Sequence, residues 1–201
     1  MDRQTMLPCE LYLVTLPEFD PATDLPGLDT VLKRWTPSAL RLATSEPNQA
    51  RRIVKEIRQT VQSNGVALIL TDLPVLAREL ECDGVHLSRH SALAETARKV
   101  LGDDLQLGIA CGPSRDEAML AGEQSADYIA VTPDGTDLTK WWSQVMELPI
   151  VAEDIATSEQ AEAMVDANAD FLAIPLSFRD ADIAGLHLEA ILTPVEIKDS
   201  E

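Results

Sequence analysis

Three observations predict a (β/α)₈ barrel: short apolar, often β-branched runs recur, amphipathic stretches with helical spacing separate them, and the runs number eight in 201 residues. A complete barrel of about 200 residues sits near the lower end of the usual size range. A doubly wound open sheet would show the same alternation, and the count of eight favours closure. No Gly/Ser/Pro-rich stretch or composition break divides the chain, so residues 1–201 read as one domain.

The elements follow in order. The first strand is expected over Leu11 to Thr15, with a helix from Leu28 to Trp35. Ala39 to Ala43 supplies the second strand, and the helix from Asn48 to Ser63 is closed by Asn64-Gly65. Val66 to Thr71 precedes a helix opened by Pro74 and running to Glu81, since proline fits the first turn of a helix. Gly84 to Leu87 is followed by a helix from Ser91 to Leu101 that Gly102 ends. Gln106 to Cys111 leads to Ser114, a cap with Glu117 three residues on. Asp127 to Thr132 precedes a sixth helix containing Trp141 and Trp142, and Pro149 to Glu153 precedes a seventh that Thr157 or Ser158 opens and that runs to Ala167. Asp170 to Pro175 completes the strands, a short helix covers Leu186 to Leu192, and the polar tail Glu196 to Glu201 is expected to fray.

Composition limits the function. Hydrophobic residues make up 45% and charged residues 25%, a balance that supports a buried core. Acidic residues number 34 against 16 basic ones, and the net charge of -18 repels nucleic acid and anionic membranes, so neither is an expected partner. The same field opposes capture of a phosphorylated substrate, which would need a locally basic pocket or a divalent cation. Cys9, Cys82 and Cys111 have neither disulfide-framework nor zinc spacing, and no apolar run is long enough to span a bilayer, which together suggest the cytoplasm. Self-association is left open.

In a barrel or an open α/β sheet, ligands bind beyond the carboxyl ends of the strands, so a small-molecule ligand is expected at that mouth. Arg41 alternates with Leu40 and Leu42 and should point inward, where it needs an anion, either a ligand phosphate or Asp72. Asp72 could equally cap the helix after Pro74. His86 inside the fourth strand reads as a packed histidine, while Arg89 and His90 lie just past its end. Cys111 and His90 form a conceivable nucleophile and base. Glu153-Asp154 closes the seventh strand, where barrels often hold phosphate, and two carboxylates there suit a cation, acid/base chemistry or a helix cap. Lys140, with Thr139, offers positive charge.

Four segments in order, Leu11-Tyr12-Leu13-Val14-Thr15, Ala67-Leu68-Ile69-Leu70-Thr71-Asp72, Asp83-Gly84-Val85-His86-Leu87 and Ala126-Asp127-Tyr128-Ile129-Ala130-Val131, resemble thiamine phosphate synthase and its thiazole tautomerase relatives. Pro149-Ile150-Val151-Ala152 and Asn168-Ala169-Asp170 extend the resemblance to roughly residues 11–178. It implies a TIM barrel that joins hydroxymethylpyrimidine diphosphate to thiazole phosphate with magnesium, losing diphosphate. Position by position, it implies diphosphate contacts at Arg41 and Lys140, a magnesium ligand at Asp72, and substrate contacts at Thr139 and Ser177. It also shows departures. Ala39-Leu40-Arg41-Leu42-Ala43 keeps only the arginine of a Gln-x-Arg-x-Lys pattern, and Ser91 stands where a second metal carboxylate would be. Ala110 replaces a serine, Glu153 precedes Asp154-Ile155 in place of a phosphate-binding Gly-Gly, and Gly112 replaces the tautomerase histidine. The expected function is thiamine phosphate synthase-like with impaired condensation. The alternatives are a non-catalytic binding relative, or a different enzyme that uses Glu153 and Asp154 on the same barrel.

Overall fold

The computed structural model describes residues 9–88 and 93–193. Its strands are β1 (Glu10–Thr15), β2 (Ala39–Leu42), β3 (Ala67–Thr71), β4 (Gly84–Leu87), β5 (Gln106–Ala110), β6 (Tyr128–Val131), β7 (Ile150–Ala152) and β8 (Phe171–Leu176). They pair in parallel in sequence order and close on themselves through β8 and β1, which makes a closed barrel. Helices α1 (Pro21–Trp35), α2 (Pro47–Ser63), α3 (Pro74–Glu79), α4 (Ala94–Leu101), α5 (Arg115–Glu123), α6 (Thr136–Val145), α7 (Ser158–Asp166) and α8 (Ala181–Leu192) follow the strands in turn.

Two helices run further than their sequence pattern suggests, and both start at an aspartate. Asp20 accepts from Ala22 N at 3.3 Å to open α1, with Pro21 in the first turn. Asp180 accepts from Asp182 N at 3.0 Å and Ile183 N at 3.1 Å to open α8. Side-chain caps of this kind satisfy amides that the helix itself leaves unbonded. Ser114 caps α5 through Glu117 N, and Thr157, not Ser158, caps α7 through Gln160 N. Arg89, His90 and Ser91 lie outside the described residues, as does the tail from residue 194.

Three aspartates that immediately precede strands lock the barrel's register. Asp83 donates its N–H to Leu68 O at 2.9 Å and accepts from Leu68 N at 2.8 Å through its carboxylate. Asp127 does the same to Leu107, at 2.8 and 2.7 Å, and Asp170 to Ile150, at 3.0 and 2.8 Å. Each extends the parallel ladder by one two-way exchange and fixes where the next strand begins, and a one-residue slip there would turn every side chain to the other face.

The core has two compartments. Outward-facing strand residues pack against the helices, whereas the barrel interior holds a separate cluster that includes Ala39, Ala130 and Ala173. These small side chains leave room for the larger interior groups Tyr12, Tyr128, Arg41, His86 and Glu153, all buried. Gly108 pairs with Tyr128 across β5 and β6, and a Cβ there would lie 1.9 Å from the Tyr128 ring, so glycine is required for the ring to enter the barrel.

Candidate active site

Alternation along β2 turns Arg41 into the barrel, as its flanking leucines require. Its anion is Glu153, immediately after β7, with Arg41 Nη1 3.2 Å from Glu153 Oε2. Asp72 is not the partner. The two members of the pair are separated by 112 residues and meet because β2 and β7 face each other across a closed barrel. The same Oε2 lies 3.4 Å from His86 Nε2 on β4. On the ring's other side His86 Nδ1 lies 3.3 Å from Tyr128 Oη, which lies 3.2 Å from Tyr12 Oη. One polar chain thus crosses the interior, from a tyrosine pair at the amino ends of the strands to a carboxylate and guanidinium at the carboxyl ends.

Its charges can be assigned. Burial works against ionising Glu153, but the His86 ring and the Arg41 guanidinium favour the anion and hold the carboxyl below its ordinary range. Burial, with the nearby Arg41 charge, pushes His86 down, so the ring is neutral at neutral pH. A nitrogen lone pair facing Glu153 would be repelled, which assigns the proton to Nε2 and leaves Nδ1 to accept from Tyr128. Arg41 and Glu153 are therefore a charge-matched pair joined through one guanidinium nitrogen, while Arg41 Nε is buried without a hydrogen-bond partner among the described residues.

The remaining predicted residues are not gathered round that pair. Asp72, at the end of β3 with φ 56°, accepts from Ser88 N at 2.9 Å and Ser88 Oγ at 2.5 Å. Both its oxygens tie the β3 and β4 ends together. Thr139 is fully buried in α6 and donates to Gly135 O at 3.1 Å, inside its own helix turn. Lys140 is exposed on α6, and among the described residues no hydrogen bond or ion pair joins it to Arg41, Asp72 or Glu153. Ser177 is exposed beside a cleft of about 80 Å³ that Asp24 and Arg179 also line.

Asp154 sits at φ 60°, a conformation natural to glycine and tolerated by aspartate. The backbone does not offer a row of free amides beside it. Glu153 N donates to Val131 O at 2.9 Å and Ile155 N to Ala173 O at 3.2 Å. Both flanking N–H groups serve the strands, and the loop places two carboxylates, Glu153 and Asp154, side by side at the end of β7. Partial burial and the Glu153 charge push the Asp154 carboxyl up. Among the described residues no group of three His, Cys, Asp or Glu side chains could hold a metal. Asp72, whose oxygens accept from Ser88, would be the carboxylate to hold a magnesium ion, which usually takes one or two carboxylates together with water and substrate oxygens.

Cys111 is buried, donates to Ile109 O at 3.4 Å, and has its thiol pushed up to about 12 by burial, which is the environment of a packed thiol and not of a nucleophile. Its conceivable partner His90 lies outside the described residues. Sequence reasoning missed Tyr12 and Tyr128. The available signal was that the chain has only two tyrosines and that Gly108 stands opposite one of them.

A closed parallel barrel with Arg41, Asp72 and Glu153 at the carboxyl ends of its strands has the architecture on which barrel ligand sites are built. The comparisons narrow that class. A family model described as thiamine monophosphate synthase matches residues 11–177, and the chain belongs to that family. Its relatives include the thiamine-phosphate synthase of Rhodospirillum centenum, 39% identical over 183 residues that cover 84% of this chain and 88% of that protein. The Erythrobacter litoralis thiamine-phosphate synthase is 32% identical over 193 residues, covering 85% and 88%. Among solved structures, a thiamine phosphate pyrophosphorylase from Pyrococcus furiosus superposes with a TM-score of 0.74 at 20% identity, over 92% of this chain and 96% of that one. A mutant tryptophan synthase α-subunit from the same organism scores 0.73 at 10% identity, covering 93% and 98%. Two differently named proteins superpose equally well, so structural likeness here speaks for the fold alone.

Proposed function

We propose that this chain is a divergent thiamine-phosphate synthase-like protein whose mouth takes a small-molecule ligand but which condenses the two phosphorylated precursors poorly or not at all. The observation that carries this is the Arg41–Glu153 pair, in which the buried cation of the barrel is already matched by a carboxylate of the same chain. Phosphoryl leaving groups depend on aligned positive charge in the transition state, and removing one such donor commonly costs about 10²–10³ in rate. Here the guanidinium is neutralised, the loop after β7 presents acid in place of amides, and Asp72 is engaged by Ser88. The three cysteines, all free, support the reading of a cytoplasmic protein.

The test is turnover of hydroxymethylpyrimidine diphosphate and thiazole phosphate with magnesium, measured beside the Rhodospirillum centenum relative. We expect product at or near background from this chain, together with saturable thermal stabilisation by at least one precursor or its dephosphorylated form. A specific activity matching that of the relative would overturn the proposal and restore the full synthase reading, which the 39% identity favours.

A further inference from the structure

Opposite the mouth, the amino-terminal end of the barrel holds a cavity of about 140 Å³. Its lining combines three aromatic rings, Tyr12, Tyr128 and Phe171, with small side chains such as Ala67 and with the polar Ser38 and Gln106, and the exposed Glu10 also lines it. The cavity is partly open to solvent and partly polar, and its volume is of the order that a single small ring needs, roughly 150 Å³. The polar groups give the cavity a direction. With the His86 proton on Nε2, Tyr128 donates to Nδ1, and Tyr12 donates in turn to Tyr128 Oη. Each hydroxyl has one proton, so both are used, and Tyr12 Oη has an acceptor lone pair left over. Glu10 is also an acceptor, engaged by Ser38 through one oxygen. Burial pushes both phenols up, so neither becomes an anion near neutral pH.

We infer that this cavity is a second binding site, for a single-ring aromatic or heteroaromatic molecule that carries an N–H or O–H donor. The rings and small side chains take its faces, the Tyr12 hydroxyl accepts its donor, and the acidic rim disfavours anionic ligands. A phenol or an aminopyrimidine has the required size and polarity, whereas toluene has the size without the donor. The site lies at the opposite end of the strands from Glu153, and the mouth enters only through the His86 tautomer that the Glu153 carboxylate sets.

The experiment is fluorine NMR titration of the full chain with 4-fluorophenol, with 4-fluorotoluene as the donor-free control. We expect saturable shifts with the phenol and weaker binding of the toluene. Tyr12→Phe should weaken the phenol by about tenfold, one hydrogen bond's worth, and leave the toluene unchanged. Ala67→Leu, which fills the cavity, should abolish binding of both while the far-ultraviolet circular dichroism stays native. No saturable binding by the parent chain would overturn the inference, as would phenol affinity unchanged by both substitutions. If Ala67→Leu fails to fold, Tyr12→Phe decides alone, because it keeps the ring and removes only the hydroxyl, and the phenol-to-toluene ratio reads that loss.

Discussion

Replacing Arg41 with methionine removes the cation of the buried pair while keeping a long apolar side chain in its space. Glu153 is 7% exposed and His86 1% exposed, so the stranded carboxylate retains only a neutral ring 3.4 Å away. Breaking a buried pair in this way costs about 3–5 kcal/mol. In a chain of this size that is a fall in Tm of roughly 6–20 °C, at about 2–4 °C per kcal/mol. The pH dependence separates charge from packing. In the parent, Glu153 is held below its ordinary value of 4.5, so its contribution is present above that pH and fades as pH falls through the folded value. In Arg41→Met burial dominates instead and the carboxyl rises, so the penalty is full at pH 7 and shrinks as the variant is acidified and Glu153 takes up a proton. The assay is thermal or urea unfolding of both proteins at pH 7 and pH 5, with Arg41→Met/Glu153→Gln as the third corner. We expect the gap to narrow at the lower pH and the double variant to recover most of the loss, since two neutral groups leave no buried charge. A single variant within about 1 kcal/mol of the parent would refute the reasoning, as would a gap that ignores pH.

Other outcomes follow from the same contacts. Gly108→Ala should destabilise by about 1–3 kcal/mol in urea unfolding, because its Cβ overlaps the Tyr128 ring, and trimming Tyr128 to leucine in the same chain should relieve part of that. Ser88→Ala removes one hydrogen bond to Asp72 and should cost about 1 kcal/mol without loss of the barrel's circular dichroism. Cys9, Cys82 and Cys111, each with its thiol raised to about 12 chiefly by burial, should react slowly with a thiol reagent at pH 8, and all three should react at once in denaturant. A fast native reaction at any of them would show a thiol far more exposed than the structure has it.

Local chemistry is what made the fold legible. The strands announce themselves as short apolar runs, and their observed limits fall within about two residues of the pattern, the ordinary scatter for element ends. The long start of α1 was obscured because Pro21, Pro26 and Gly27 look like breakers. Pro21 instead occupies the first turn, and Gly27 lets α1 approach so closely that a Cβ would lie 1.9 Å from Phe178 O. The inward direction of Arg41 was readable from its flanking leucines, but its partner was not, since the Arg41–Glu153 contact spans the barrel and depends on closure. The roles suggested for Thr139 and Asp72 came from motif position, which does not report where a hydroxyl or carboxylate finds its nearest local partner. Thr139 bonds back to Gly135 within its own helix turn, and Asp72 bonds across to Ser88 between the ends of β3 and β4. The tyrosine pair was hidden for the opposite reason: Tyr12 and Tyr128 sit in apolar strands, and only the glycine at position 108 hints at a large ring inside.

Calorimetric titration of the chain with inorganic diphosphate in the presence of magnesium measures the state of the mouth most directly. With Arg41 committed to Glu153, we expect no saturable heat from the parent chain at millimolar ligand. Saturable micromolar binding that disappears in Arg41→Met would contradict this, because it would mean the guanidinium leaves its carboxylate to hold the anion.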